Sequence, residues 1–458
     1  MKVNTPQGTR DFDALTVRKR QHILNTIQKQ FELFGYQPIE TPAIENLTTL
    51  MGKYGEEGDK LIFKILNNGL HEPAKHDKAR TAFENILAGR SDTQITERAL
   101  RYDLTIPFAR YVVMNQGTLA FPFKRSQMQA VWRADRPQKG RYREFWQCDA
   151  DVVGSTSLIH EAELLQIYSN VFALLGIPEV QIKLNNRKIL EGLAIALGKR
   201  EMMTDLTVAI DKLDKIGLEM VGRELVGKGF KDEDWALIQQ FLSIQGTNEE
   251  KLDQVRHIIG HSDVAIKGIN ELKEILSYYQ LLQGEAEDIS IDFTLARGLN
   301  YYTGMITEVM TSAVRMGSIG GGGRYDDLTG LFGLKNTSGV GISFGVDRIY
   351  DVMEELQLFP EKINITTQVI FLAFTEDAIP QILQYVHQLR ENGISAEFYS
   401  ELGKMDKQMK YAHRRNIPFV AIIGENELEN NTITLKNMIS GDQQQIAFSK
   451  IFPALQNM

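Results

Sequence analysis

Apolar positions recur every three or four residues over three long stretches of the chain, and this spacing predicts helices. The first stretch runs from Val17 to Leu33, with Gly35 beyond its end as a helix terminator. The second runs from Ile159 to Leu175 and has its apolar residues on a common side. The third, Glu201 to Leu282, is rich in Glu and Lys and contains no strand-like run of comparable strength. We therefore expect it to be a helical insertion between two parts of one sheet domain.

The pattern changes after about Thr366, where short apolar runs alternate with helical segments. This alternation predicts a parallel or mixed sheet with helices across it. The predicted strand, helix, strand, helix and strand are Gln368–Phe374, Ala378–Arg390, Ile394–Tyr399, Lys404–Arg415 and Pro418–Ile423. The segment from Leu358 to Thr367 is the predicted linker.

Two segments interrupt the regular patterns. The apolar stretch Tyr36 to Ile44 carries Pro38 and Pro42, and proline belongs at a sheet edge or a bulge, so a central strand is not expected here. The stretch from His71 to Asp92 is polar and charged, and we interpret it as a mobile insertion or loop.

Composition narrows the class of protein. The 458 residues suggest about three domains, and 43% hydrophobic with 24% charged residues is ordinary for a globular protein. No run of 18 apolar residues and no apolar N-terminal signal region is present, so we expect a cytoplasmic protein without a membrane span. The single cysteine, Cys148, excludes an intramolecular disulfide. The net charge of −8 leaves nucleic-acid binding possible if positive charge is grouped locally.

The nine residues from Ala296 to Gly304 form the most informative segment. They contain an arginine and two tyrosines, and they follow the strand-like alternation of Ile289 to Phe293. A guanidinium at the end of a sheet can bind a carboxylate or phosphate with two hydrogen bonds, and tyrosines can wall a small pocket. A strand and turn with core aromatic residues is the alternative.

A second block, Val131 to Asp149, has two apolar-aromatic stretches around a loop with Pro and Gly, which predicts a strand–loop–strand hairpin. From Arg133 to Arg143 there are five Lys or Arg residues and one Asp. Grouped cations of this kind suit a polyphosphate or an RNA backbone. A solvated surface loop is the alternative.

Two glycine-rich blocks follow. Gly339 to Ile349 predicts a strand that enters a helix, and its glycines permit close approach of a flat ligand. A buried strand with no ligand is the alternative. Gly317 to Asp326 has five glycines in its first seven positions, and a flexible hinge is its ordinary interpretation. A phosphate-binding P-loop is excluded there because no Gly-Lys-Ser/Thr follows.

Two further segments carry polar groups at regular spacing. If Leu100 to Pro107 is a strand, Asp103 and Thr105 share a face and could hold an ammonium group. A helix N-cap is the stronger interpretation of these residues alone. In the tail, Lys404, Lys407, Lys410 and Arg414 recur at helical spacing and share one face, either as a binding surface or as a solvated one.

Together these blocks resemble the class II aminoacyl-tRNA synthetases, and Ala296–Gly304 resembles the RGLDYYTG signature of the histidyl-tRNA synthetases. Thr41–Glu45 is similar to motif 1 of that class, Val131–Asp149 to motif 2, and Gly339–Ile349 to motif 3. Gly317–Asp326 is similar to the family's GGGRYD segment.

The resemblance implies an α+β catalytic domain built on a mostly antiparallel sheet with flanking helices. This domain would comprise residues 1–185 and 286–357, with a mainly helical insertion at 186–285. A C-terminal α/β anticodon-binding domain would occupy residues 366–458.

The resemblance also implies the roles of individual residues. The implied catalytic residues are Arg133 and Arg297. The implied histidine-binding residues are Asp103, Thr105, Gln147, Asp151, Arg297, Tyr301, Tyr302 and Tyr325. The implied ATP-binding residues are Arg133, Arg141, Phe145 and Arg348. The implied tRNA-binding residues are Arg136, Gln138, Lys404 and Lys407. The chain departs from the family's usual residues at Asp135, Asn300 and Asp347, and some members have Glu where this chain has Asp103.

The implied activity is ATP-dependent ligation of L-histidine to histidine tRNA through a histidyl-adenylate, with release of AMP and pyrophosphate. ATP with Mg²⁺ would be the substrate complex, without a prosthetic group and without metal ligands identified in the protein. A homodimer is implied by motif 1. The alternative is a catalytically inactive regulatory or tRNA-sensing relative. Regulatory members generally lack the tail domain and signature residues that this chain keeps.

Overall fold

The structure is a computed structural model that describes residues 3–90, 92–282, 284, 288–296 and 301–456. The chain forms two compact units. The first comprises Met1–Phe12 and Arg20–Leu358, and the second Asp13–Lys19 and Phe359–Met458. Among the described residues, no helix combines the length and apolar character needed to cross a membrane.

The first unit is organised around an eight-stranded sheet within the described part of the chain. In spatial order its strands are Gln37–Pro38, Phe123–Trp132, Glu144–Val153, Gly339–Gly345, Gly320–Tyr325, Met305–Thr311, Val180–Asn186 and Ile289–Ile291. The pairings at the two edges are parallel and the inner ones are antiparallel, which confirms the mostly antiparallel sheet. Pro38 lies on an edge strand, as its missing N–H requires.

The α-helices that the structure describes before residue 186 are Ala14–Leu33, Leu47–Leu50, Gly55–Lys60, His76–Leu87, Thr105–Asn115 and Ile159–Leu174. Strands Ile44–Asn46, Lys64–Ile65 and Arg98–Leu100 form a separate small sheet. The two helices expected from apolar spacing, at 17–33 and 159–175, are thereby confirmed.

The loop expected at His71–Asp92 is wrong. The segment holds a short 3₁₀ turn, Pro73–Lys75, followed by the helix His76–Leu87. Ala82 is the buried residue of that helix, whereas Phe83 is 54% exposed. Because a helix that buries so little needs few apolar residues, its sequence has the polarity of a loop.

The segment expected to be an insertion is helical, as its pattern predicts. Its helices are Arg187–Ala196, Met203–Ile210, Leu213–Gly227, Asp232–Leu242, Asn248–Ile259 and Asp263–Leu281. Three of these helices begin with side-chain caps that accept a backbone N–H: Asn186 accepts from Lys188, Thr247 from Glu250, and Ser262 from Ala265. Such caps satisfy backbone donors that would otherwise have no partner in the helix.

The second unit contains a five-stranded mixed sheet among the described residues, with strands in the order Ala396–Phe398, Val369–Ala373, Phe419–Ile423, Thr432–Asn437 and Gln443–Ala447. The first two pairings are parallel and the last two antiparallel, so the predicted mixed sheet is confirmed. Its α-helices are Ile379–Glu391, Met405–Arg414, Glu425–Glu429 and Ile451–Gln456. Val369 and Phe371 face one apolar cluster, and Ile370 faces another on the opposite side.

The two glycine-rich blocks are neighbouring strands at the centre of the large sheet. Gly339–Gly345 leads into the helix Val346–Glu355, as predicted. The hinge expected at Gly317–Asp326 is wrong for its second half, because Gly320–Tyr325 is a strand paired on both sides. Hydrogen bonds to two neighbours fix the backbone that glycine alone would leave free. This strand is called the glycine strand below.

Candidate active site

A row of polar side chains runs along the hairpin formed by Phe123–Trp132 and Glu144–Val153. The register pairs Arg125 with Asp151, Gln127 with Asp149, and Gln129 with Gln147. Positions two apart on a strand share one face, so all these side chains point to the same side of the sheet. The row places charged and amide groups in the protein interior, where each needs a partner.

The charged end of the row is almost completely buried. The Arg125 side chain has no exposed surface, and its Nη2 lies 2.8 Å from Asp151 Oδ2 and 3.7 Å from Asp149 Oδ2. The Tyr325 hydroxyl donates a hydrogen bond to Asp151 Oδ1 at 2.5 Å. Burial raises the pKa of Asp149 to about 7, although nearby Arg125 lowers it. Burial also raises the pKa of the Asp151 carboxyl.

Glycines make room above this row. A Cβ atom at Gly341 would lie 1.9 Å from Asp151 Oδ1, and one at Gly323 would lie 2.9 Å from Cδ1 of Tyr302. At Gly321, in contrast, a Cβ atom would meet a single backbone oxygen at 3.3 Å. The first two glycines are therefore required by packing inside the protein, whereas Gly321 borders open space.

That open space is a cavity of about 540 Å³. Six of the residues proposed for ATP or histidine line it: Arg133, Arg141, Phe145, Gln147, Tyr302 and Arg348. The glycine strand contributes Gly320, Gly321 and Gly322 to the same lining. A volume of this size is in the range of small-molecule and cofactor pockets.

Arg133 is held over aromatic rings at the cavity wall. Its guanidinium carbon lies 4.3 Å from the ring centre of Tyr102 and 5.1 Å from that of Phe145. Its Nε donates to the backbone oxygen of Tyr102 at 3.1 Å. One guanidinium edge is thus used for anchoring, and Arg133 presents positive charge to the cavity that it lines.

The opposite wall is fixed by Arg348 of the helix Val346–Glu355. Its Nε donates to the backbone oxygen of Gly140 at 2.9 Å, and its Nη1 donates to that of Ser318 at 2.7 Å. Arg348 therefore ties the hairpin loop to the segment before the glycine strand. Arg141 lies in the same loop, with its Nη1 3.7 Å from Asp135 Oδ1.

Asp347 precedes Arg348 and also lines the cavity. Its carboxylate forms ion pairs with Arg10 and with Arg20, the latter at 2.5 Å, and accepts the backbone N–H of Trp146 at 3.1 Å. Asp347 thereby connects the hairpin with the N-terminal part of the chain. Its role in the structure is to hold neighbouring elements together.

Asp103 caps a helix and does not lie on a strand. Its Oδ1 accepts the backbone N–H of Ile106 at 3.1 Å and the Tyr54 hydroxyl at 2.9 Å. Asp103 thus lies one residue before the N-cap residue Leu104 and accepts a backbone N–H of the first helical turn, whereas the strand interpretation is wrong. Oδ2 makes no hydrogen bond within the described residues. Burial raises the pKa of Asp103.

Tyrosines link Asp103's helix to the glycine strand. Tyr301 lies close enough to Thr105, the first residue of the helix Thr105–Asn115, for the two hydroxyls to interact, and its ring centre is 5.0 Å from that of Tyr302. The Tyr325 ring is 6.1 Å from Tyr301. Burial raises the pKa of all three hydroxyls, so each is a neutral donor at physiological pH.

Two predicted residues cannot be placed. Arg297 and Asn300 lie outside the described residues, which resume at Tyr301. Of the proposed histidine-binding residues that are described, Gln147 and Tyr302 line the cavity, and the others do not: Asp103, Thr105, Asp151, Tyr301 and Tyr325.

The proposed tRNA-binding residues are on the surface. Arg136 and Gln138 are exposed in the hairpin loop, which turns at Gly140 with φ +71°. In the second unit, Lys404 and Lys407 are exposed at the start of the helix Met405–Arg414, and Lys407 Nζ is 2.8 Å from Glu401. Exposure leaves these side chains available to a large ligand.

Sequence reasoning missed Arg125 and Asp149. The signal was weak, because Arg125, Gln127 and Gln129 alternate with positions that include the polar Lys124 and Ser126. Polar groups at alternate positions usually mark a solvated face. Only the paired strand shows that this face is buried.

Comparisons with known proteins agree with this arrangement. The family model for histidyl-tRNA synthetase matches residues 90–349, and that for the anticodon binding domain matches residues 367–458. The chain is 52% identical over 459 residues to a protein of Christiangramia forsetii named histidine–tRNA ligase, covering 99% of each. A Bacteroides fragilis protein of that name is 51% identical over 454 residues, again with 99% of each covered. A crystal structure of histidyl-tRNA synthetase from Nostoc superposes with a TM-score of 0.84 at 30% identity, covering 100% of this chain and 99% of that one.

Proposed function

The chain belongs to the histidyl-tRNA synthetase family, and from this premise we propose how its own residues perform the reaction. It ligates L-histidine to histidine tRNA at the expense of ATP. The observation that carries the assignment of the site is the cavity of about 540 Å³, where residues of motif 2, motif 3, the Ala296–Gly304 segment and the glycine strand meet. The comparisons give no support to the inactive alternative.

In the first step an oxygen of the histidine carboxylate attacks the α-phosphorus of ATP. The bond from this phosphorus to the bridging oxygen breaks, and pyrophosphate leaves with that oxygen. The product is histidyl-adenylate. No side-chain nucleophile is needed, so the protein acts by positioning the reactants and by stabilising negative charge.

Arg133 is the residue proposed to bind the reacting α-phosphate and carboxylate. Its guanidinium is oriented by Tyr102 and lines the cavity, so little ordering is needed when the phosphate arrives. Arg297 is proposed to bind the same phosphate from the other side. Phe145 offers a ring face for adenine, and Arg348 its guanidinium plane for stacking.

Histidine is proposed to bind next to Arg133. The α-ammonium group would be held by Asp103, Thr105 and Gln147. Support comes from the Asp103 Oδ2 and Gln147 Oε1 atoms, which are buried acceptors without hydrogen-bond partners within the described residues. The imidazole would lie against the glycine strand, between Asp151 and Tyr302, with Tyr301 and Tyr325 completing the wall.

In the second step, the terminal ribose hydroxyl of the tRNA attacks the carbonyl carbon of the adenylate. The carbon–oxygen bond to the phosphate breaks, and AMP leaves. We propose that the hairpin loop, through Arg136 and Gln138, contacts the acceptor end. Lys404 and Lys407 are proposed to contact the anticodon stem-loop through its phosphates.

We assign residues 1–185 and 286–357 to the catalytic domain, 186–285 to the insertion and 366–458 to the anticodon-binding domain. The family models at 90–349 and 367–458 support the last boundary. Mg²⁺ is proposed to enter with ATP as part of the substrate. A homodimer and a cytoplasmic location complete the proposal, the former from the motif 1 resemblance at Thr41–Glu45.

The test is amino-acid-dependent ATP–pyrophosphate exchange with purified protein. We expect exchange with histidine and not with the other common amino acids. Substitution Arg133→Ala should lower the exchange rate by about 100-fold, since a preorganised charge at the reacting phosphate is removed. The matched control is Arg80→Ala, a surface arginine 80% exposed on the helix His76–Leu87. An Arg133→Ala variant as active as this control would refute the role of Arg133.

A further inference from the structure

Two buried aspartates, close to the cavity-lining residues Gln147 and Ser343, share one arginine. Asp149 and Asp151 are 2% and 3% exposed, and Arg125 is completely buried. Within the described residues, no other lysine or arginine forms an ion pair with either carboxylate. With both aspartates ionised, the three side chains carry a net charge of −1 in a region that excludes water.

The groups that face the aspartates from other elements do not cancel this charge. Ser343 offers Asp149 a hydroxyl from the Gly339–Gly345 strand, and Tyr325 offers Asp151 one from the glycine strand. The Tyr302 hydroxyl and the Asp103 carboxyl are also close enough to interact with Asp149. Hydroxyls are neutral donors, and Asp103 adds negative charge.

The negative charge of Asp149 is less completely neutralised than that of Asp151. Asp151 has its guanidinium partner at 2.8 Å and a tyrosine donor, whereas the nearest contact from Arg125 to Asp149 is 3.7 Å. Asp149 Oδ1 and Asp151 Oδ2 both lack a hydrogen bond within the described residues, but Asp151 Oδ2 has the close ion pair with Arg125 and Asp149 Oδ1 has none. A buried carboxylate without a close positive partner is stabilised by taking up a proton or by a positively charged ligand.

We propose that Asp149 is a specificity-determining residue that makes the pocket take the histidine side chain as the imidazolium cation. This inference rests on the proposed function, because it presumes histidine in the cavity next to Gln147. The imidazolium ring supplies one positive charge and two N–H donors, which matches a site with one excess negative charge and unused acceptors. The raised pKa of Asp149, caused by burial, agrees with a carboxylate that lacks sufficient positive charge in the empty pocket.

The proposal has a consequence for pH dependence. Free imidazole has a pKa of about 6.5, so above neutral pH most histidine is neutral and must take up a proton to bind. The KM for histidine should therefore rise by up to about tenfold per pH unit between roughly pH 7 and pH 8.5, while kcat changes little. In the Asp149→Asn variant the remaining Arg125–Asp151 pair is neutral overall, and KM should become nearly independent of pH in this window.

The experiment measures histidine-dependent pyrophosphate exchange at several pH values for wild type, Asp149→Asn and Asp149→Glu. The Glu variant keeps the charge and should keep the slope. Cys148→Ala is the matched control, since Cys148 is the next residue of the same strand, is buried, and points to the other face. It should retain the wild-type profile.

A second measurement uses triazolylalanine, a histidine analogue whose ring stays neutral near pH 7. Wild type should have a lower KM for histidine than for the analogue. In Asp149→Asn the ratio of the two KM values should shrink by about tenfold, the factor that corresponds to one pKa unit. Parallel pH profiles in wild type and Asp149→Asn, or an unchanged preference, would overturn the inference. If wild type shows no histidine-dependent exchange at any pH, the proposed function fails instead.

Discussion

Two substitutions, Gly341→Ala and Gly321→Ala, each add one methyl group to the central sheet. Together they distinguish the role of the sheet in packing from its role as a ligand-binding surface. At Gly341 the new Cβ would lie 1.9 Å from Asp151 Oδ1 and 2.4 Å from its Cγ, so the carboxylate must move. At Gly321 the closest atom would be a backbone oxygen at 3.3 Å, and the methyl would project towards the cavity. We expect Gly341→Ala to lower stability and Gly321→Ala to leave it nearly unchanged.

The magnitude follows from the bonds that Asp151 would lose. Displacement breaks its 2.5 Å hydrogen bond from Tyr325 and its 2.8 Å ion pair with Arg125. Breaking a buried ion pair costs about 3–5 kcal/mol. In a unit of this size the melting midpoint should then fall by roughly 10 °C. For Gly321→Ala the free energy of unfolding should change by no more than about 0.5 kcal/mol.

Thermal unfolding followed by circular dichroism measures the stability of both variants, and pyrophosphate exchange measures their activity. Gly321→Ala should raise the KM of a substrate while melting like wild type, because its methyl occupies ligand space. A Gly341→Ala variant that melts like wild type would refute the reasoning, since Asp151 would then have room to spare. So would a Gly321→Ala variant with wild-type kinetics.

Three other variants test separate parts of the molecule. Glu161→Ala leaves Arg324 buried without the carboxylate that binds it at 2.5 Å and 2.8 Å. We expect the free energy of unfolding to fall by about 3–5 kcal/mol, measured as a lower melting midpoint. A wild-type midpoint would contradict this. For Arg297→Ala we expect exchange to fall by about 100-fold with the circular dichroism spectrum retained, and unchanged exchange would remove Arg297 from the mechanism. Replacing Lys404 and Lys407 with Glu should weaken tRNA binding and reduce the slope of log affinity against log salt concentration by about one to two. Pyrophosphate exchange should stay normal. An unchanged tRNA affinity would exclude this helix face from the interface.

Local patterns predicted the regular elements well because their signals are local. The hairpin around the basic loop and the strand before Arg348 were expected from short-range alternation and turn residues, and the structure contains both. The helix at His76–Leu87 was missed because it buries too little apolar surface to leave a periodic signal. The glycine strand was missed because glycine has no intrinsic strand preference, and its two neighbours along the sheet supply the hydrogen bonds that fix it.

The sequence by itself determined the type of protein and the identity of most proposed site residues, because the motif blocks carry them in a recognisable order. It could not show that the face with Asp149 is buried, since burial depends on what packs against a strand and not on the strand itself. Nor could it show that Arg125, 26 positions before Asp151 in the sequence, lies 2.8 Å from it. Antiparallel pairing brings these residues together, so the cluster of two aspartates around one arginine exists only in the folded chain.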